Sequence, residues 1–191
     1  MPSDRIVAGT YLMCALATGG QIFIKNAPIY EMDSVIRVLS KMGANIEVKE
    51  EGIYLKSNMP LIANKVTTGV YPGFPTDLQS PLLVLMSCAK GEGKIKETIY
   101  ENRFHIVNEL KKMNSDVFVE GNQVITRGPE NLKGCIVEAK ELRGSAALVM
   151  AGLVAKGETE IQNCSYIKRG YENICRDLRG LGAILYEKED E

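Results

Sequence analysis

The stretch Tyr71-Pro72-Gly73-Phe74-Pro75-Thr76-Asp77-Leu78-Gln79 runs from a rigid turn into an apolar helix, and its reading decides the fold. Pro72 and Pro75 fix φ and Gly73 permits a sharp bend, so the loop is positioned rather than slack. Asp77 falls near the first helical turn, where unpaired N–H groups and the positive helix end favour a carboxylate. A lone aspartate in that place reads as an N-cap. Here, however, the chain carries the same joint twice more, with arginine in place of aspartate.

Arg5, Asp77 and Arg143 each stand 14 residues before a glycine, at Gly19, Gly91 and Gly157. Each glycine stands 12 residues before a second polar position, at Glu31, Arg103 and Arg169. The copies stay parallel through Leu39, Leu110 and Leu178, followed by Met42, Met113 and Leu181, with one-residue gaps entering before them. Repeated spacing of this kind points to an internal repeat, in units of about 4–64, 65–134 and 135–187.

Each unit opens with a short helix that is apolar nearly all round: Ile6–Ala17, Leu78–Ala89 with Pro81 in its first turn, and Ser145–Ala155. Helices of that kind belong inside a protein, and these are too short to span a bilayer. A central cluster of three is the economical arrangement. The glycine stops each helix, and a short strand follows at Gln21–Lys25, Lys94–Glu97 and Glu160–Asn163. A second, amphipathic helix comes next, with stripes such as Met32, Val35, Ile36, Leu39 and Met42, or Tyr171, Ile174, Leu178 and Leu181. Hairpins pair Asn45–Val48 with Gly52–Leu55 and Asp116–Val119 with Gln123–Thr126, the latter turning on Gly121-Asn122. Lys65–Thr68 and Cys135–Ala139 are extended segments that lead into the next copy. The first copy lacks a leading strand, and the third lacks a second hairpin strand after Ile184-Leu185-Tyr186. This reads as a domain cut from a longer protein. The open sheet edges it predicts suit a weak homodimer.

Composition agrees with a globular domain. The 191 residues are 45% hydrophobic and 25% charged, enough for one large domain or two small ones. A net charge of −1 argues against nucleic-acid binding by bulk electrostatics. No run spans a membrane, and Met1-Pro2-Ser3-Asp4-Arg5 does not begin a signal peptide. Cys14, Cys88, Cys135, Cys164 and Cys175 are odd in number and lack metal-ligand spacing, which reads as reduced thiols in a cytoplasmic protein. The single histidine, His105, excludes a multi-histidine metal site in one chain and reads as a surface helix residue.

A pseudo-threefold repeat places equivalent positions on one face. Arg5, Asp77 and Arg143 then ring the central helix N-termini, with Arg103 and Arg169 starting the outer helices. Such a surface suits a substrate carrying phosphate or carboxylate, and an aspartate within it can take a proton from a hydroxyl. Taken singly, each arginine also reads as a tie to a helix end or to a surface acid.

Phe74-Pro75-Thr76-Asp77-Leu78-Gln79, Thr98-Ile99-Tyr100-Glu101-Asn102-Arg103-Phe104, Leu142-Arg143-Gly144-Ser145 and Arg169-Gly170-Tyr171-Glu172 closely resemble the UDP-N-acetylglucosamine 1-carboxyvinyltransferases of the enolpyruvyl transferase family. The resemblance runs from Asp4-Arg5-Ile6 to Gly182-Ala183. It implies an α/β fold, an inside-out barrel of three repeated units with helices central and sheets outside. The whole of 1–191 is then a single domain, the C-terminal one of two that face each other across a cleft. The implied reaction transfers the enolpyruvyl group of phosphoenolpyruvate to the 3-hydroxyl of UDP-N-acetylglucosamine, releasing phosphate. This is the first committed step of bacterial peptidoglycan synthesis, hence of cell-wall biogenesis, cell shape and division, and it uses no metal or organic cofactor.

On the same resemblance Asp77 contacts the sugar hydroxyl and is its base, and Ile99 and Tyr100 line the sugar-nucleotide site. Arg169 reaches phosphoenolpyruvate, while Arg103 and Arg143 serve closure and transition-state charge. Glu141 departs from the family's usual aspartate, and the loop carrying the general acid belongs to the other domain, which makes the chain inactive alone. Two alternatives stay open: a non-catalytic nucleotide- or RNA-phosphate-binding module of this fold, and a truncated paralogue with a regulatory role.

Overall fold

Three apolar helices set the architecture: α1 (Arg5–Ala17), α3 (Gln79–Ser87) and α5 (Leu142–Val154). Each touches the other two, so the most apolar segments of the chain meet at its centre. The computed structural model describes residues 4–129 and 131–188. After each helix, Gly19, Gly91 and Gly157 all adopt positive φ, at 71°, 102° and 90°, with Gly91 opening the strand that follows. They lie beyond the last helical residues, Ala17, Ser87 and Val154, so they make the helix-to-strand bend rather than the helix stop itself.

The strands form three separate sheets. In the first, β1 (Gln21–Lys25), β2 (Ala44–Lys49) and β3 (Gly52–Ser57) are antiparallel in the order β1-β3-β2. In the second, β4 (Lys65–Thr67), β5 (Gly91–Lys96), β6 (Asp116–Glu120) and β7 (Gln123–Gly128) run in the order β4-β5-β7-β6, with β4 parallel to β5. In the third, β8 (Ile136–Glu138) pairs parallel with β9 (Glu160–Gln162). Among the described residues no sheet closes on itself. The outer edge of β1 likewise has no paired strand there.

The inner sheet faces rest on the central helices. Ile53 and Leu55 of β3 are fully buried, as are Ile95 of β5 and Val124 of β7. Gly93 in β5 suits this close approach, because a Cβ there would stand 3.0 Å from Met86 of α3. Three outer helices, α2 (Asp33–Lys41), α4 (Ile106–Lys112) and α6 (Ile174–Gly180), bury Val35 and Leu39, Ile106 and Leu110, and Ile174 and Leu178. No helix among the described residues is long and apolar enough to cross a membrane.

The third copy departs from its expected shape. Ile184-Leu185-Tyr186 form no strand, with Ile184 and Tyr186 at least 80% exposed. In the other copies the corresponding strands, β2 and β6, pair only with the return strand of their hairpin. Among the described residues no return strand pairs with that segment, so its backbone groups have no ladder to join there.

Candidate functional site

The turn from Thr76 to Leu78 is a single 3-10 turn, and α3 begins only at Gln79. Asp77 therefore sits inside the turn, and its side chain caps no helix, which corrects the N-cap reading. The carboxylate instead takes two guanidinium groups. Arg103 Nη2 donates to Oδ1 at 2.6 Å, and Arg143 Nη2 donates to Oδ2 at 3.1 Å. The competing donors are charged, and charged donors form the stronger bonds. Arg103 comes from the loop after β5 of the same repeat, and Arg143 from the first turn of α5 in the next.

Both arginines are held at a second point. Arg103 lies 4.9 Å from the centroid of the Tyr100 ring, whose exposed face supplies a cation–π contact. Arg143 lies against Gly170, where a Cβ would stand 3.4 Å from Nη1 and within 3.0 Å of Leu142. The loop after Arg169 thus packs directly against the side chains of Leu142 and Arg143. Arg143 Nη1 is buried and has no hydrogen-bond partner among the described residues.

Glu141 answers for its departure from the expected aspartate by capping α5. Its carboxylate accepts from the backbone N–H groups of Arg143, at 2.8 Å, and of Gly144. The cap fixes the first turn of α5, of which Arg143 is the second residue.

The remaining positions separate. Arg169 ends the 3-10 segment Cys164–Arg169, exposed, with no ion pair among the described residues. Arg5 does not join the cluster; its guanidinium lies 5.6 Å from the Tyr71 ring. Ile99 is half-buried and Tyr100 exposed, on a loop that borders an open cleft of about 800 Å³ shared with Asn102, His105, Asn108 and Asn122. His105 is exposed and immediately precedes α4. The five cysteines are free thiols, and burial pushes Cys14 up to about 12 and Cys88 up to about 11, which leaves both unreactive. Among the described residues no group of His, Cys, Asp or Glu is placed to hold a metal ion.

Sequence reasoning missed Glu97. It is 2% exposed and accepts four hydrogen bonds, from the hydroxyls of Thr68 and Thr76 and the N–H groups of Ile99 and Tyr100. Burial pushes its carboxyl up, but these four donors outweigh burial and hold it below the ordinary range. Glu109, also buried, is likewise held low: burial raises it, and Lys112, the Glu138 N–H and Lys140 outweigh that. A depressed carboxyl contributes stability that is present above its unfolded value and lost as pH falls through the folded one. The urea midpoint is therefore expected to fall steadily below about pH 4.3, the ordinary glutamate value. In Glu97→Gln that fall should be shallower; an unchanged slope would remove Glu97 from the acid response.

Comparison with known proteins follows the same lines. The family described as EPSP synthase (3-phosphoshikimate 1-carboxyvinyltransferase) matches residues 1–178. The chain is 42% identical over 186 residues to UDP-N-acetylglucosamine 1-carboxyvinyltransferase 2 of Bacillus cereus, covering 97% of the chain and 43% of that protein. It is 45% identical over 182 residues to UDP-N-acetylglucosamine 1-carboxyvinyltransferase of Halothermothrix orenii, covering 95% and 44%. The chain thus spans less than half the length of these curated relatives. Among solved structures, the enolpyruvyl transferase NikO from Streptomyces tendae superposes with a TM-score of 0.87 at 24% identity, over 96% of this chain and 44% of that one. EPSP synthase from Acinetobacter baumannii gives 0.63 at 18% identity, over 84% and 38%. At those identities the two structures speak for the mixed α/β fold alone.

Proposed function

The chain belongs to the EPSP synthase family, and from that premise we propose that it is the C-terminal domain of a UDP-N-acetylglucosamine enolpyruvyl transferase. Residues 1–191 are then one of two domains, three repeats arranged as an inside-out α/β barrel with helices central and sheets outside. The protein works in the bacterial cytoplasm on peptidoglycan precursors. Its partners are the two substrates and the other domain, and the open edge of β1 suits weak self-association.

The observation that carries this reading is the Asp77 carboxylate, one third exposed and flanked by two guanidiniums from two repeats. A carboxylate has about four lone-pair sites, and two are used here, so each oxygen keeps one for a substrate hydroxyl. Asp77 takes the proton of the sugar 3-hydroxyl as its oxygen bonds to C2 of phosphoenolpyruvate. C3 receives a proton from the general acid of the facing domain. Cleavage of the bond from C2 to the phosphate oxygen of this tetrahedral adduct then expels phosphate with that bonding pair, and loss of a C3 proton restores the double bond. Arg103 and Arg143, each partly exposed beside Asp77, bring positive charge to the charge that develops at the reacting centre. Ile99 and Tyr100 line the sugar-nucleotide side.

Phosphate release by the longer protein is the test. Release that requires both phosphoenolpyruvate and UDP-N-acetylglucosamine is expected; release indifferent to the sugar nucleotide would overturn the assignment. Arg169, exposed and without an ion pair here, is free to meet phosphoenolpyruvate. Arg169→Ala should raise the KM for that substrate roughly tenfold to a hundredfold, the loss of a hydrogen bond between charged groups. The KM for the sugar nucleotide should move much less. Equal effects on both would indicate an arginine that only braces the cleft wall.

A further inference from the structure

Glu97 sits where three segments of the second repeat meet. Oε1 accepts from the Thr68 hydroxyl at 2.8 Å, at the end of β4, and from the Ile99 N–H at 2.7 Å. Oε2 accepts from the Thr76 hydroxyl at 2.8 Å, one residue before Asp77. The Thr68 hydroxyl is itself an acceptor for the Thr98 N–H at 3.0 Å, and the Thr98 hydroxyl donates to the Thr68 carbonyl at 2.7 Å. All the donors to Glu97 are neutral, and among the described residues the carboxylate serves no ion pair. Burying a charge without a counter-charge is costly, and such an arrangement persists only where hydrogen bonds compensate. The equivalent positions, six residues after each repeat glycine, are Lys25 and Asn163. Asn163 bonds Glu138 across its sheet and reaches no turn before a central helix. The carboxylate hub therefore belongs only to the repeat that carries an aspartate at its joint.

We infer that Glu97 is a positioning residue: it locks the Thr76-Asp77 turn to the loop that carries Ile99, Tyr100 and Arg103. One carboxylate oxygen holds the turn and the other holds the loop, which sets the reach of Arg103 across to Asp77. The inference rests on Asp77 being the base of the proposed reaction. A base displaced by about 1 Å loses up to about a hundredfold in rate.

Replacing Glu97 would disturb four hydrogen bonds at once, so for the positioning role Thr76 is the gentler place to cut. Thr76→Val removes the hydroxyl and keeps the branched shape, leaving the other three donors to Glu97; Thr76→Ser keeps the hydroxyl. The first readout is NMR of the 191-residue chain, where the Arg103 Nη protons should be resolved by the Asp77 pair. They should remain resolved in Thr76→Ser and broaden in Thr76→Val. The second is turnover of the longer protein. Thr76→Val should lower kcat at least about tenfold with both KM values within about threefold, and Thr76→Ser should stay within about twofold. Persistence of the Arg103 signals in Thr76→Val, or equal losses in the two variants, would overturn the positioning role. If the longer protein shows no transfer at all, the proposed activity fails, and the Arg103 signals alone decide the role of Glu97.

Discussion

Replacing Asp77 with asparagine is expected to lower turnover of the longer transferase at least about a hundredfold, the scale for loss of a general base. Asparagine keeps the shape and the acceptor oxygen but takes up no proton in this range. It also leaves Arg103 and Arg143, each less than one fifth exposed, without their shared counter-charge. The second effect falls on stability, at roughly 1–3 kcal/mol for a charged partner lost. The first falls on kcat. Assaying well below the unfolding midpoint of the mutant separates them, and the sugar-nucleotide KM should change far less than kcat. Near-normal turnover in the folded mutant would remove Asp77 from the base role and leave it as a clamp for two arginines.

The 191-residue chain by itself is expected to fold and to show no turnover. Folding follows from the core: one continuous cluster of buried side chains includes Leu12 and Leu39 of the first repeat, Leu82 and Leu110 of the second, and Ala147 and Met150 of the third. Absence of turnover follows from the site. Among the described residues Asp77, Arg103 and Arg143 line an open surface, whereas the proposed reaction needs a second proton donor and exclusion of water. The chain's share of its relatives, 43–44% of their length, leaves room for that wall elsewhere. Phosphate release is measured for the chain and for the longer protein side by side. Activity of the chain within about tenfold of the longer protein, a barrier difference of ~1.4 kcal/mol, would show that this surface suffices.

The repeat was legible because its parts are local. Helix and strand periods, positive-φ glycines and the Gly121-Asn122 turn are read within a few residues of one another. The strand Gln21–Lys25 lies where the pattern puts it, and the other predicted elements differ mainly at their ends, apart from Ile184-Leu185-Tyr186, which form no strand. The partners of Asp77 were less legible, since Arg103 and Arg143 lie 26 and 66 residues further along. Spacing placed them on one face but did not pair them. An aspartate before a helix has a local use as a cap, and only the tertiary arrangement shows charged donors displacing that use. Arg5 shares the spacing and yet turns to Tyr71, because an aromatic ring from the joint of the next repeat lies beside it. Glu97 was hidden for a different reason. It follows Lys94-Ile95-Lys96, a strand with a solvated face, and reads as one more surface charge. Its available signal was comparison within the chain: lysine, glutamate and asparagine at one repeat position mark a place where chemistry changes while the scaffold does not.

The first helix also reaches the last repeat directly. The Thr10 and Tyr171 hydroxyls are 2.8 Å apart, the Tyr11 hydroxyl donates to Asp177 at 3.0 Å, and the Tyr11 and Tyr171 rings meet edge to face. These contacts join residues 161 and 166 positions apart. A linear array of repeats can fray from either end, each unit supported by its neighbours alone. Here the two ends of the array hold each other, so there is no terminal unit to peel away. The loop-closure cost of such distant contacts falls early in folding and slows it. In return, loss of any one repeat removes support from both others, and the three copies gain or lose structure together.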